Sequence, residues 1–205
     1  ERRYVGGRVT EDGSYLVITA AISTTGNELY IKDLRKPNTK IVRVVDNFDN
    51  DHSVIHTVGE TLYIETNLNA PNGRVVMTTS DKLEIENWQD FIPETENVLR
   101  VGTAGGKFFT NYIVDATSQI FQYDADGKME REITLPGLGS AGGFGGRNED
   151  TILYYSFTSY VYPSTTFKYN IETGNSEVYK KSGVEFDPSL YESKRVFYTS
   201  KDGTK

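Results

Sequence analysis

A serine set among glycines is the first place in the sequence where a nucleophile could be exposed. Ser140 lies in the segment 138–143, which reads LGSAGG. A nucleophile elbow holds such a serine on a strained turn between a strand and a helix. The following residues, 144–149, continue rich in glycine and show no helical pattern. We therefore predict a flexible loop between two structural units and no catalytic serine.

The same glycines match the spacing of a dinucleotide-binding fingerprint. Gly137, Gly139 and Gly142 follow the pattern G-x-G-x-x-G. This pattern binds a pyrophosphate where it joins a strand to a helix within a βαβ unit. The surrounding sequence predicts no such unit, so we expect no cofactor.

Two histidines could serve as metal ligands or as a general base. His52 and His56 are the only histidines in the chain, and Asp46, Asp49 and Asp51 lie close to them in sequence. A spacing of four residues places both histidines on one face of a strand or a helix. Zinc sites need three or four converging ligands, and a Ser–His–Asp triad needs an exposed nucleophile beside the histidine. Because neither arrangement is evident, we predict no metal site and no catalytic residue.

Two further features have a structural and a ligand-binding interpretation. Asp124 and Asp126 begin half of a calcium-binding loop but lack the trailing glutamate of an EF-hand, so a hairpin turn is the better interpretation. Trp88 and the tyrosine-rich and phenylalanine-rich strands could line a pocket. Aromatic side chains at strand spacing more often pack between sheets, where each buries a large area.

The composition favours short strands joined by tight turns. The chain has 205 residues, of which 37% are hydrophobic, with 14 Tyr, 10 Phe and 19 Gly. Aromatic and β-branched residues suit a pleated, half-buried surface. The net charge of −7 and the absence of a basic stripe argue against nucleic-acid binding.

Other partners and sites are excluded on the same grounds. The chain has no run of eighteen apolar residues, so we predict no membrane-spanning segment. It has no cysteine, which excludes disulfides, a cysteine nucleophile and thiolate metal sites from this sequence. The opening residues 1–5 resemble neither an initiating methionine nor a signal peptide and are interpreted as an internal position of a longer chain.

A repeat of about fifty residues divides the chain, and each repeat offers three or four short strands. Turn signals such as DG, TGN, DADG and ETGN separate these strands. The predicted strands are 15–22, 28–34, 40–46, 53–57, 61–66, 74–78, 88–92, 107–114, 119–123, 129–135, 151–163, 166–170, 176–180 and 196–200.

These repeats predict an all-β fold, a fragment of a β-propeller with about four blades of antiparallel strands. A single repeat cannot bury both faces of its strands, whereas radial stacking of neighbours does so. A β-solenoid would need shorter repeats, and a β-sandwich would not need this period. The predicted blades are 1–50, 51–97, 98–146 and 147–205.

Four segments resemble the propeller domain of the prolyl oligopeptidase family. Residues 10–34 (TEDGSYLVITAAISTTGNELYIKDL) resemble the middle of that propeller, and residues 62–76 contain its T-N-x-x-A-P-N pattern. Residues 152–170 resemble its last blade, in which F-T-S precedes a proline, and residues 196–205 (VFYTSKDGTK) resemble the strand that leaves it.

The resemblance implies a parent enzyme in which a seven-bladed propeller caps an α/β-hydrolase domain with a Ser–Asp–His triad. The parent would cleave short peptides after proline, and its catalytic domain would follow residue 205. This chain would be the second half of the propeller, inactive alone, with a gating and size-selecting role. The compartment stays open between cytoplasm and bacterial periplasm. The blade flanks left exposed predict possible self-association.

The chain departs from the family pattern in one place. The family strand that matches residues 15–24 supplies an arginine and, nearby, a cysteine that face the substrate, whereas the sequence here reads YLVITAAIST. No substrate-contacting residue is therefore transferred. The alternative is a stand-alone β-propeller or β-solenoid module that binds peptides or glycans without catalysis.

Overall fold

The computed structural model describes residues 2–204, and the predicted all-β propeller architecture is confirmed. Within this range sixteen strands form four antiparallel sheets, each with four strands in chain order. The first sheet contains β1 (Tyr4–Val9), β2 (Tyr15–Ala21), β3 (Glu28–Asp33) and β4 (Val42–Val45). The second contains β5 (His52–Val58), β6 (Thr61–Thr66), β7 (Arg74–Thr79) and β8 (Gln89–Ile92).

The other two sheets repeat this plan. The third contains β9 (Val98–Ala104), β10 (Lys107–Val114), β11 (Thr117–Tyr123) and β12 (Met129–Ile133). The fourth contains β13 (Ser140–Gly142), β14 (Ile152–Ser159), β15 (Tyr162–Asn170) and β16 (Ser176–Lys180). Two 3-10 helices are Ile85–Asn87 and Pro188–Leu190. Glu1 and Lys205, which end two of the predicted segments, lie outside the described residues.

Among residues 2–204, no helix has the length and apolar character needed to cross a membrane.

The inner sheets carry apolar side chains on both faces because they are packed on both sides. Phe108 and Phe109 are neighbours in β10, and each is 1% exposed. Successive side chains of a strand point to opposite faces. Phe108 therefore enters the core between the second and third sheets, and Phe109 enters the core between the third and fourth. Sheets stacked face to face in this way are the packing solution of a propeller.

Three hydrophobic cores join the four sheets. The core between the first and second sheets includes Tyr15, Leu29, Ile31, Leu62 and Ile64. The core between the second and third includes Tyr63, Val75, Phe108 and Tyr112. The core between the third and fourth includes Phe109, Ile120, Tyr155, Phe157 and Tyr169. The predicted role of the aromatic side chains in packing between sheets is confirmed.

The first strands of the sheets converge on one side of the array. The Arg8 guanidinium in β1 donates a hydrogen bond to the Val54 carbonyl in β5. The Thr103 hydroxyl in β9 lies 3.5 Å from the Ile55 carbonyl in β5, so it joins the next pair of sheets. These strands line one side of the array, where two cavities that share Arg8 and Val54 lie, and this region is called the inner channel below.

The structure corrects several predicted strands. The sequence interpretation missed β1 and β9, and it treated the glycine-rich segment wholly as a loop, although Ser140–Gly142 is strand β13 paired with β14. The fourth sheet thus begins at Ser140, before the predicted blade start at 147. The predicted strand 151–163 is broken by a turn at Tyr160 and Val161, which separates β14 from β15. Residues 196–200 form no strand.

Candidate functional site: the inner channel

A cavity of about 390 Å³ opens at the end of the channel where β5 terminates. The β1–β2 turn, β5, β9 and the glycine-rich segment after β13 line it. Its charged and titratable side chains are Arg8, Glu11, Asp12, His56 and Glu149. The wall of this end of the channel is therefore polar, and three of its groups are carboxylates.

Asp12 is held as a carboxylate by the turn that carries it. The Thr10 hydroxyl donates to Asp12 Oδ1 at 2.6 Å, and the Ser14 amide donates to the same oxygen at 3.1 Å. Burial alone would raise the pKa of Asp12, but these hydrogen bonds outweigh burial and hold its pKa below the usual value. The channel end therefore keeps a fixed negative charge at neutral pH.

His56 faces this cavity from an aromatic environment. Its ring lies edge-on to Phe108 with 5.4 Å between ring centroids, and 5.8 Å from the Tyr63 ring. Burial lowers the pKa of His56, and the charges of Glu11 and Asp12 oppose that shift without cancelling it. At neutral pH the imidazole is uncharged.

A second cavity, of about 330 Å³, lies toward the other end of β5. It includes Thr19, Ser23, Asp51 and His52, and it shares Arg8 with the first cavity. The two cavities are therefore adjoining parts of one channel. This wall contains the stretch in which the family pattern has an arginine and a cysteine, and hydroxyl groups line it here.

The two histidines do not share a face, which corrects the prediction from their spacing. In the pairing of β5 with β6, His52 lies opposite Thr66 and Val54 lies opposite Ile64, but His56 lies opposite Tyr63. The register therefore shifts between Val54 and His56. A β-bulge of this kind adds one residue to a strand and reverses the faces beyond it. His52 therefore packs edge-on against Trp88, at 5.8 Å, whereas His56 packs against Phe108.

The structure also keeps Ser140 apart from both histidines. Ser140 is the first residue of β13, pairs with Thr158 and lines a third cavity, of about 450 Å³, whose lining includes neither histidine. His52 and His56 line the two channel cavities. Within residues 2–204, no group of three or more His, Asp or Glu side chains is arranged to hold a metal ion.

The remaining candidate residues have structural roles. Asp124 Oδ1 accepts hydrogen bonds from the amides of Asp126 and Lys128, each at 2.9 Å, which closes the β11–β12 hairpin turn as predicted. Trp88 packs against the core between the first and second sheets, and its indole donates to the Leu83 carbonyl at 3.1 Å.

His52 should make the stability of the fold depend on pH. The side chain is 4% exposed, Thr66 Oγ1 lies 2.9 Å from its Nδ1, and burial lowers its pKa to about 4, against a smaller opposing effect of Asp51. The unfolded chain therefore binds this proton more readily than the folded chain. As the pH falls from about 7 to about 5, we expect the free energy of unfolding to drop by about 2 kcal/mol from this group.

Urea unfolding at several pH values measures this effect. His52→Phe removes the titrating group and keeps a ring against Trp88, so the fall between these pH values should become shallower. His56 titrates in both proteins, so its contribution to the pH dependence cancels when the two are compared. An equally steep fall in the variant would contradict the assignment to His52.

The sequence interpretation missed most of the residues that line the channel. Glu11 and Asp12 were visible only as parts of a turn, and Arg8 belongs to the unpredicted strand β1. Glu149 ends the glycine-rich stretch 144–149, which the sequence analysis interpreted as a flexible loop. The glycines themselves were the one available signal, since they allow a backbone to lie close against a neighbouring strand.

Sheets of four antiparallel strands, stacked face to face beside an inner channel, define a β-propeller domain. Comparison with known proteins gives the family. The family model described as the prolyl oligopeptidase N-terminal β-propeller domain matches residues 1–182. The chain belongs to the prolyl oligopeptidase family, and this region is part of its propeller domain.

Relatives and solved structures agree with this assignment. The chain is 52% identical over 204 residues to a prolyl endopeptidase of Elizabethkingia meningoseptica, covering all of this chain and 29% of that protein. It is 30% identical over 212 residues to the dual function macrocyclase-peptidase POPB of Galerina marginata, covering 98% of this chain and 29% of that protein. The chain thus spans less than a third of the length of these relatives.

Two solved structures share the fold. A structure from an analysis of two prolyl endopeptidases and of their inter-domain dynamics superposes with a TM-score of 0.87 at 30% identity, covering 98% of this chain and 30% of that one. Prolyl oligopeptidase B from Galerina marginata, bound to a 35mer hydrolysis and macrocyclization substrate, has a TM-score of 0.87 at 28% identity, with the same coverage of both chains.

Proposed function

We propose that this chain is a non-catalytic part of a peptidase, whose channel limits which peptides reach a separate catalytic domain. The observation that supports this is the polar channel along β5, whose walls come from the first strands of three sheets. In this proposal the channel admits an extended peptide and excludes a folded protein. The proposal therefore assigns the chain to size selection.

Bond cleavage is assigned to the α/β-hydrolase domain of the parent enzyme. Acyl transfer needs a nucleophile, a base and an oxyanion hole at one place. Ser140, His52 and His56 line three different cavities. The reaction class follows from the relatives, which are named as prolyl endopeptidases and oligopeptidases. We propose that the parent cleaves short peptides after proline.

Hydrolysis of a chromogenic peptide that ends in proline tests the catalytic part of the proposal. We expect no turnover by the 205-residue chain and normal turnover by a full-length relative under the same conditions. Turnover by the repurified chain that a serine-directed reagent abolishes would contradict the proposal. Ser140→Ala would then show whether this serine is the nucleophile.

A chimera tests the gating part. The corresponding region of the 52% identical Elizabethkingia meningoseptica enzyme is replaced by this chain. We expect the chimera to keep its activity on short proline peptides and to leave a folded, proline-containing protein intact. A chimera that cleaves the folded protein as fast as the short peptide would contradict gating by this part of the chain.

A further inference from the structure

The glycine-rich segment crosses the channel end instead of staying with its own sheet. Residues 143–150, called the strap below, follow β13 and pass over the C-terminal end of β9. The Gly146 amide donates to the Thr103 carbonyl, and the Gly105 amide donates to the Arg147 carbonyl, both at 2.9 Å. The strap therefore extends the third sheet locally before the chain returns to β14.

The tip of the strap reaches the first sheet. The backbone amide of Asn148 donates a hydrogen bond of 2.8 Å to Glu11 Oε1 in the β1–β2 turn, across a sequence separation of 137 residues. Gly146, Asn148 and Glu149 form part of the cavity lining together with Arg8 and His56. The strap therefore spans the mouth of the channel from the fourth sheet to the first.

Glycine is required where the strap meets β9. A Cβ atom on Gly102 would lie 1.8 Å from the Phe144 carbonyl oxygen, and one on Gly146 would lie 3.3 Å from the Ala104 Cβ in β9. Gly143 has a φ of +96°, in the region that glycine favours. The strap thus lies directly on the backbone of β9.

The two ends of the strap are anchored by side chains, whereas the segment between them is held to its neighbours by backbone amides and carbonyls. Phe144 is 6% exposed and stacks on Tyr155 with 4.6 Å between ring centroids. Asp150 Oδ2 accepts the Arg147 amide at 2.7 Å and fixes the other end. Asn148 and Glu11 are both exposed. Lifting the tip therefore breaks the backbone hydrogen bonds to Thr103 and Gly105 but leaves the hydrophobic core packed.

We propose that the strap is a movable closure of the channel mouth and that the Glu11–Asn148 hydrogen bond is its latch. When the latch is formed, the strap covers the cavity that Arg8 and His56 line. When it breaks, the mouth opens to an extended peptide. This inference rests on the proposed gating function and names the element that would regulate it.

Hydrogen exchange of the 205-residue chain tests the latch without any peptidase reaction. Glu11→Ala removes the acceptor, so amide exchange in residues 143–150 should become about 10-fold faster, as expected for loss of one charge-assisted hydrogen bond. Glu60→Ala is the matched control, because Glu60 is an exposed acid in the β5–β6 turn, outside the cavity lining. Unchanged exchange in Glu11→Ala would overturn the proposal.

Thiol labelling tests whether the latch controls access. The chain has no cysteine, so Thr103→Cys places a single thiol in the cavity beneath the strap, and Ser23→Cys places one in the second cavity. Adding Glu11→Ala should make a bulky maleimide label the thiol at position 103 about 5-fold faster, and it should leave the labelling rate of the thiol at position 23 unchanged. Equal rates with and without Glu11→Ala would overturn the proposal. If Thr103→Cys does not fold, the hydrogen-exchange result decides.

These readouts separate failure of the strap from failure of the gating function. Faster exchange and labelling in Glu11→Ala, with the chimera still rejecting a folded protein, supports both. If exchange and labelling become faster but the chimera does not discriminate by size, the movable strap is supported and the gating function is overturned. Unchanged exchange and labelling overturns the strap, whatever the chimera cleaves.

Discussion

Replacing Tyr155 by alanine should lower the free energy of unfolding by about 3–5 kcal/mol, the range for deleting a large buried aromatic side chain. Tyr155 is 1% exposed and lies between Phe144 and Phe167, with ring centroids 4.6 and 5.1 Å away. Alanine leaves a cavity in the core that joins the third and fourth sheets. Urea unfolding followed by Trp88 fluorescence and by circular dichroism measures the loss.

Two variants control for the chemistry of this change. Tyr154→Ala removes the same side chain from the neighbouring position, which is 45% exposed and packs against Tyr179. We expect it to cost less than about 1 kcal/mol. Tyr155→Phe removes only the hydroxyl that lies 3.1 Å from Ser176 Oγ and should cost about 1 kcal/mol. Similar losses for Tyr155→Ala and Tyr154→Ala would contradict the assignment of Tyr155 to the buried face of β14 and of Tyr154 to its exposed face.

Replacing Gln122 by glutamate should destabilise the same interface by about 3 kcal/mol at neutral pH. Gln122 is fully buried; its Nε2 donates to Glu130 Oε2 at 2.7 Å and to the Ile171 carbonyl at 3.0 Å. Its Oε1 accepts the Tyr169 hydroxyl at 2.6 Å. Glutamate has nearly the same shape but turns the donor into a charged acceptor facing two other acceptors.

The pH dependence of this variant has a defined sign. Burial alone would raise the pKa of Glu130, but hydrogen bonds from Lys107 and Gln122 hold its pKa below the usual value, so Glu130 is charged at neutral pH. The introduced carboxyl group can donate only when protonated. The loss of stability should therefore shrink as the pH falls toward about 4.

Gln119→Glu is the matched control for Gln122→Glu. Gln119 lies in the same strand, β11, and is exposed, so the same chemical change should alter stability by less than about 0.5 kcal/mol. Unfolding of both variants in urea at two pH values gives the comparison. A loss in Gln122→Glu that grows as the pH falls would contradict the buried hydrogen-bond network.

The all-β fold could be predicted because most of its signals are local. The turns after β1, β11 and β15 use Gly13, Gly127 and Gly174, with φ of +73°, +78° and +77°. Glycine adopts this backbone conformation at little cost, so the residue type alone marks the turn. The apolar residues between these turns then define strands, and their repetition predicts stacked sheets.

Three of the missed features, the β14–β15 turn, β13 and β1, have no such local signal. The turn between β14 and β15 is made by Tyr160 and Val161, neither of which is typical of a turn. β13 has three small residues and becomes a strand because β14 offers it hydrogen-bonding partners. β1 contains Gly6 and Gly7 and pairs with β2 in the same way. Pairing with a neighbouring strand, and not propensity, decides these elements.

The sequence by itself determined the all-β class, the repeat and the aromatic packing between sheets, because these depend on residue type and short-range periodicity. The tertiary structure decided the site. One extra residue at the β5 bulge sends His52 and His56 to opposite faces, although their spacing predicts one face. The contact between Asn148 and Glu11 joins residues 137 positions apart. Such contacts depend on how the sheets stack, which no local pattern of residues records.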